Sequence, residues 1–143
     1  MTEALSLDVA GGEQDWDLRV WREVTESRVV DVVQPDVCYI GGLTRALRVA
    51  ALAREAGLPC TPHAANQSLV LVFTLHLLSA IENRGPYVEF SVEPDEYYSW
   101  QTGMYEPRPE VVDGVLQVPD GSGWGIEISE AWLARAERRT SAV

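Results

Sequence analysis

At 143 residues, with 46% hydrophobic composition and five Trp, the chain has a single domain's length and enough apolar material for a packed core, which excludes a disordered polymer. Its formal net charge of −11 argues against nucleic acid or an anionic membrane as the main partner, because neither gains from the electrostatics. All 11 basic residues are Arg and none is Lys, so this chain supplies no lysine base, Schiff base or lysine phosphate clamp.

The first residues, MTEALSLDVAGGE, show neither a basic start nor a long apolar core, so a secretory signal is not expected and a cytoplasmic protein is. Residues 5–10 alternate apolar and polar and predict a strand delivering Gly11, Gly12 and Glu13. Residues 15–27, DWDLRVWREVTES, predict a helix with Asp15 or Asp17 as N-cap. The β-branched run 29–33 predicts a buried parallel strand stopped by Pro35, which cannot donate to a ladder, just before Asp36. Gly41-Gly42 opens a helix over residues 43–56, and Gly57 ends it. Cys60 and Thr61 predict a very short strand ending at His63. Asn66 or Ser68 then caps an apolar helix over 69–81, which is broken by Thr74, His76 and Ser79 and is too short to span a bilayer. Residues 87–92 predict a fourth strand carrying Glu89.

Four strand ends thus carry Glu13, Asp36, His63 and Glu89 at steps of 23 to 27 residues, with one helix in each interval. That is a βα repeat, and it predicts a parallel sheet. In barrels of such units the loops at the carboxyl ends of the strands build the active site. After Glu93 the character changes. Residues 95–109 are aromatic and irregular, VVDGVLQV predicts a hairpin turning at Asp113-Gly114, and Ser129 is placed to cap a last helix over 130–137. The Gly-rich GSGWG has no following Lys and opens no helix, so it is not a phosphate loop.

If the four groups converge, each has a chemistry. Asp36 can accept the Nδ1 proton of His63 and leave Nε2 as a base. Glu89, protonated in an apolar site, can donate to a developing oxyanion. Glu13 is the natural ligand for a hard divalent cation, although a lone Glu makes a poor site. The other ionisable and aromatic groups have blander readings. Cys38 and Cys60 lack any metal-ligand spacing and read as free thiols. His76 reads as a packing residue, and Arg45 and Arg48 as charge on a helix surface rather than substrate clamps. Trp16 and Tyr39 could line a pocket or pack in a core or interface. Gly41-Gly42 reads as a tight βα turn rather than a phosphate cradle.

The run DVVQPDVCYIGGLTRALRVAALAREAGLPCTPHAANQS, followed by PYVEFSVE, resembles the mandelate racemase subgroup of the enolase superfamily, the mandelate racemase/muconate lactonizing enzyme-like proteins. The similarity runs from about Leu5 to Leu133. It implies an α/β fold, the carboxyl-terminal half of a (β/α)7β TIM-like barrel, with residues 1–93 as a partial barrel domain. Residues 94–143 become a hairpin and helix return that would pack on a capping domain. It implies that Glu13 is the third metal-binding carboxylate, for Mg²⁺, that Asp36 and His63 are a general-base dyad, and that Glu89 is an electrophile. The implied reaction is abstraction of the proton α to a carboxylate, in an acid-sugar dehydratase or a racemase. Because the resemblance starts at the strand of the third metal ligand, the capping domain, the Lys-bearing segment and two metal carboxylates are expected to be missing. The chain is therefore expected to be inactive alone, with a complementary amino-terminal half, a homo-oligomer or a non-catalytic interaction role as the possible completions.

Overall fold

The computed structural model describes residues 2–140, and the chain divides into two compact units, Met1–Val92 and Glu93–Val143. In the first unit, β1 (Ala10–Gly11) and β2 (Val32–Val33) pair in parallel, Ala10 opposite Val32 and Gly11 opposite Val33. Val33 bridges Cys60, and Cys60 bridges Arg84, again in parallel. Four extended segments therefore lie side by side in chain order, separated by helices, which is an α/β arrangement. The rungs include Gln34 N–H to Gly11 O and Val33 N–H to Pro59 O, both 3.0 Å, and Thr61 N–H to Val33 O at 2.9 Å.

The helices form where caps and apolar spacing coincide. In α1 (Leu18–Glu26), the Asp17 side chain accepts from the Arg19 N–H, and Trp21 and Thr25 face inward. In α2 (Leu43–Glu55), the buried residues Ala46, Val49, Ala50 and Ala53 make one narrow stripe of small side chains. This helix ends in a Schellman arrangement: Gly57 takes φ 71°, its N–H bonds Arg54 O, and the Leu58 N–H bonds Ala53 O at 2.8 Å. In α3 (Leu69–Ala80), capped by Ser68, apolar residues occupy nearly the whole circumference, and six of its residues are buried. Trp21, Val33, Ile40, Leu58, Cys60 and Leu77 meet in one core, where each large aliphatic side chain contributes about 1.5–3 kcal/mol of transfer free energy.

The strands are shorter than the sequence predicts, and the fourth is displaced. Its parallel contact is at Arg84, and residues 87–92 form no ladder. Gly85 still donates to Cys60 O at 3.0 Å, but Pro86 has no N–H to continue the series. Side chains take over beyond it: Ala64 N–H donates to Glu89 Oε2 at 2.9 Å, and Gln67 Nε2 donates to Ser91 O at 2.7 Å.

In the second unit, β3 (Tyr105–Glu106) and β6 (Glu127–Ile128) pair antiparallel. Between them, β4 (Val111–Val112) and β5 (Val115–Leu116) form the expected hairpin, with positive φ at both turn residues, Asp113 and Gly114. The final helix α4 (Glu130–Leu133) is shorter than predicted, and Ser129 precedes it without a side-chain capping bond. Burial of Tyr105 pushes its hydroxyl up to about 12. No helix among the described residues is long and apolar enough to cross a membrane.

Candidate active site

His63 is the hub of one polar cluster. Its backbone is registered against the strand beside it, because Asp36 and His63 form a parallel bridge and the His63 N–H donates to Pro35 O at 3.1 Å. From α3, the buried Thr74 hydroxyl donates to His63 O. The imidazole side chain is 14% exposed, and both ring nitrogens face carboxylates.

Nδ1 lies 2.8 Å from Asp36 Oδ2. The other oxygen of Asp36, Oδ1, accepts the Cys38 N–H at 2.6 Å and the Tyr39 N–H at 3.0 Å. Three donors thus fix this buried carboxylate, and an ionised carboxylate can only accept, so Nδ1 carries a proton and the ring cannot rotate without breaking the pair. Nε2 is the nitrogen left for chemistry. It lies 3.2 Å from Glu13 Oε2 and 3.7 Å from Glu89 Oε2. A proton on Nε2 or on one of the two carboxylates would bind this corner together, so the arrangement can share a proton between an imidazole and two acids.

The two glutamates reach Nε2 by different means. Glu13 follows Gly12, whose φ of 102° and close approach to the Trp21 indole leave no room for a Cβ. Trp21 is in turn fixed by its Nε1–H to Asp15 O, 3.0 Å, so α1 presses on the turn that presents Glu13. Glu89 is held by the Ala64 N–H, from the residue following His63.

The structure therefore brings all four sequence-predicted groups together around one imidazole, although Glu89 arrives from an irregular segment rather than a strand end. His76 lies half-buried midway along α3. Trp16 and Tyr39 are 68% and 57% exposed, which removes them from the core. Burial and the adjacent Asp36 charge push the Cys38 thiol up, and burial alone lifts Cys60 to about 12, so neither is an activated nucleophile. Among the described residues, no group of three or more His, Cys, Asp or Glu side chains is arranged to hold a metal ion.

Sequence reasoning missed two supports. Arg45, expected to be surface charge, bonds two carbonyls on neighbouring loops. Its helical spacing is the same as that of a solvated arginine, so the sequence carried no signal for this. The Ala64 N–H could not be foreseen either, since a backbone donor leaves no mark in side-chain identity.

Residues 1–132 match the family model described as Enolase C-terminal domain-like. The arabinonate dehydratase of Saccharolobus solfataricus is 27% identical over 91% of this chain and 34% of its own length. The D-galactarolactone cycloisomerase of Agrobacterium fabrum is 32% identical over 86% of this chain and 34% of its own length. The chain thus spans about a third of these curated relatives. A provisionally named racemase from Roseobacter denitrificans superposes with a TM-score of 0.93 at 54% identity, covering 99% of this chain and 39% of that one. The L-talarate dehydratase of a Polaromonas species, solved with Mg and L-glucarate, gives a TM-score of 0.76 at 28% identity, covering 96% of this chain and 35% of that one.

Proposed function

This chain belongs to the enolase C-terminal domain-like family, and from the geometry around His63 we propose that it carries the acid–base side of an enolase-superfamily active site acting on sugar-derived carboxylates. Dehydratases, a cycloisomerase and a racemase are named among its relatives, and in this reading their different outcomes begin from one step, the loosening of a hydrogen next to a carboxylate. We take the four parallel segments as the carboxyl-terminal part of a (β/α)7β barrel, and residues 94–143 as the segment returning to a capping domain. The observation that carries the proposal is the imidazole held at Nδ1 by Asp36 with Nε2 turned toward Glu13 and Glu89.

In this reading His63 takes the α-proton at Nε2. Asp36 keeps the ring in the required tautomer and stabilises the imidazolium that results. Glu89, in its protonated form, donates a hydrogen bond to the substrate carboxylate as charge builds there, and the bond matters most in the transition state. Glu13 would be this chain's one carboxylate for Mg²⁺, and the ion, if its other ligands were supplied, would add positive charge beside the substrate carboxylate. One carboxylate does not make a site for it, however, and the described residues hold no three-ligand group. The residues present do not by themselves fit the metal, so its remaining ligands come from outside these 143 residues, on this or another chain. Without them the chain turns over no substrate.

The test is α-hydrogen exchange in D₂O, followed by proton NMR on a panel of sugar acids with Mg²⁺, using the protein together with whatever segment or chain completes it. This reads proton abstraction whether elimination or racemisation follows. The α-hydrogen signal should wash out, and His63→Asn should stop the loss. Exchange that survives His63→Asn, or no exchange with any sugar acid in the completed assembly, overturns the proposal.

A further inference from the structure

Arg45 lies outside the cluster around His63, yet it joins the two loops that carry half of that cluster. Its Nε–H donates to Ile40 O at 2.6 Å, and its Nη2–H donates to Trp16 O at 2.8 Å. Trp16 lies three residues after Glu13, in the loop that follows β1, and Ile40 lies four residues after Asp36, in the loop that follows β2. A guanidinium suits this task because its donors are fixed in one plane and can reach two acceptors at once without reorganising. The bonds are charge-assisted, and both acceptors are neutral carbonyls. No carboxylate among the described residues forms an ion pair with Arg45. Removing its side chain therefore strands no partner charge, and the phenotype reports the lost link.

The two loops need this link unequally. Asp36 is held by three donors of its own. Glu13 is half-exposed, and its side chain contacts His63 Nε2. Its loop is pinned on one side by the Trp21 indole at Asp15 O and on the other by Arg45 at Trp16 O.

We propose that Arg45 is a positioning residue that clamps the β1 loop to the β2 loop and so keeps Glu13 facing His63 Nε2 while Asp36 holds Nδ1. The consequence for catalysis rests on the acid–base reading of the site; the clamp itself does not. The test uses protein labelled with fluorotryptophan, with the Trp16 and Trp21 resonances assigned through Trp16→Phe and Trp21→Phe, and compares wild type with Arg45→Ala and Arg45→Lys. In Arg45→Ala the exposed Trp16 resonance should shift toward its unfolded position while that of buried Trp21 stays. Guanidinium at non-denaturing concentration should restore it. Arg45→Lys should not restore it, because an ammonium is a point donor and the two carbonyls lie on different loops. In the completed assembly, α-hydrogen exchange should fall about 10- to 100-fold in kcat with KM little changed, the effect of a small displacement near the reacting atoms, and should recover with guanidinium. An unmoved Trp16 resonance overturns the clamp. So does a joint shift of Trp16 and Trp21 without guanidinium rescue, which marks a general loss of packing. A Trp16 shift rescued by guanidinium, in a protein whose wild type exchanges no α-hydrogen, sustains the clamp and defeats the acid–base reading instead.

Discussion

Replacing Asp36 by Asn changes a single atom at the centre of the site. The Asn Oδ1 can still accept the Cys38 and Tyr39 N–H groups, at the 2.6 and 3.0 Å positions that Asp36 Oδ1 now occupies. That orientation puts the amide NH₂ where Oδ2 stands, 2.8 Å from His63 Nδ1. Two donors cannot face each other at that distance, so Nδ1 must become the acceptor and the imidazole proton moves to Nε2. The base is then blocked although nothing has moved. The same exchange behind a catalytic histidine in the Ser-His-Asp triad costs about 10⁴-fold in rate, equivalent to about 5 kcal/mol of barrier. The loss of stability should be smaller, about 1–3 kcal/mol, because the three hydrogen bonds at this side chain are kept but lose their charge assistance. Two measurements check this: α-hydrogen exchange in the completed assembly, and ¹⁵N spectra of the imidazole, which report the tautomer in the chain itself. Exchange within tenfold of wild type, or a ¹⁵N spectrum in which Nδ1 keeps its proton, refutes the reasoning.

Three further outcomes are expected. Glu89→Gln preserves an acceptor for the Ala64 N–H, so thermal unfolding should be unchanged while α-hydrogen exchange drops about 10²- to 10³-fold; a matching loss of stability would show that Glu89 is structural. Gly12→Ala must place a Cβ against the Trp21 indole at φ 102°, and urea denaturation should show a loss of at least about 2 kcal/mol, with a change under about 1 kcal/mol meaning that Trp21 yields. Cys60, held near 12 in the fold against an ordinary 9.0, favours the fold fully below pH 9, and that contribution fades as the pH rises from 9 toward 12. Iodoacetamide at pH 8 should therefore modify exposed Cys38 well before Cys60, and Cys60→Ala should flatten the alkaline end of the stability profile; equal labelling rates would contradict the burial.

The residues that write their role in side-chain chemistry were the legible ones. Gly57 as a helix stop and Asp113-Gly114 as a hairpin turn follow from local backbone demands and stand where the pattern put them, while the caps were legible only as pairs, Asp15 or Asp17 and Asn66 or Ser68, of which Asp17 and Ser68 do the capping. Strand extent was not legible. The apolar run 29–33 reads as five residues of ladder, yet only Val32–Val33 pairs as a strand, because Asp31 bonds the Val9 N–H with its carboxylate at 2.9 Å. The segment 87–92 has a strand's alternation, but Pro86 ends the ladder before it. Its acid still arrives at the site, because the Ala64 N–H holds Glu89 by its side chain.

The four groups are thus anchored by bonds of different kinds, and this decides how each should respond to change. Asp36 and His63 are registered by backbone pairing between adjacent segments, so only a slip of that pairing could separate them. Glu89 depends on one hydrogen bond from the backbone beside His63, and it moves with that residue. Glu13 sits at the end of a turn that the Trp21 indole and the Arg45 guanidinium hold from either side. Stability should therefore be most sensitive at the ladder and at Gly12, whereas the geometry at Nε2 should be most sensitive at Arg45. A substitution at Arg45 that spares the fold while disturbing Glu13 would separate these two sensitivities, because the ladder holding Asp36 and His63 does not pass through its side chain.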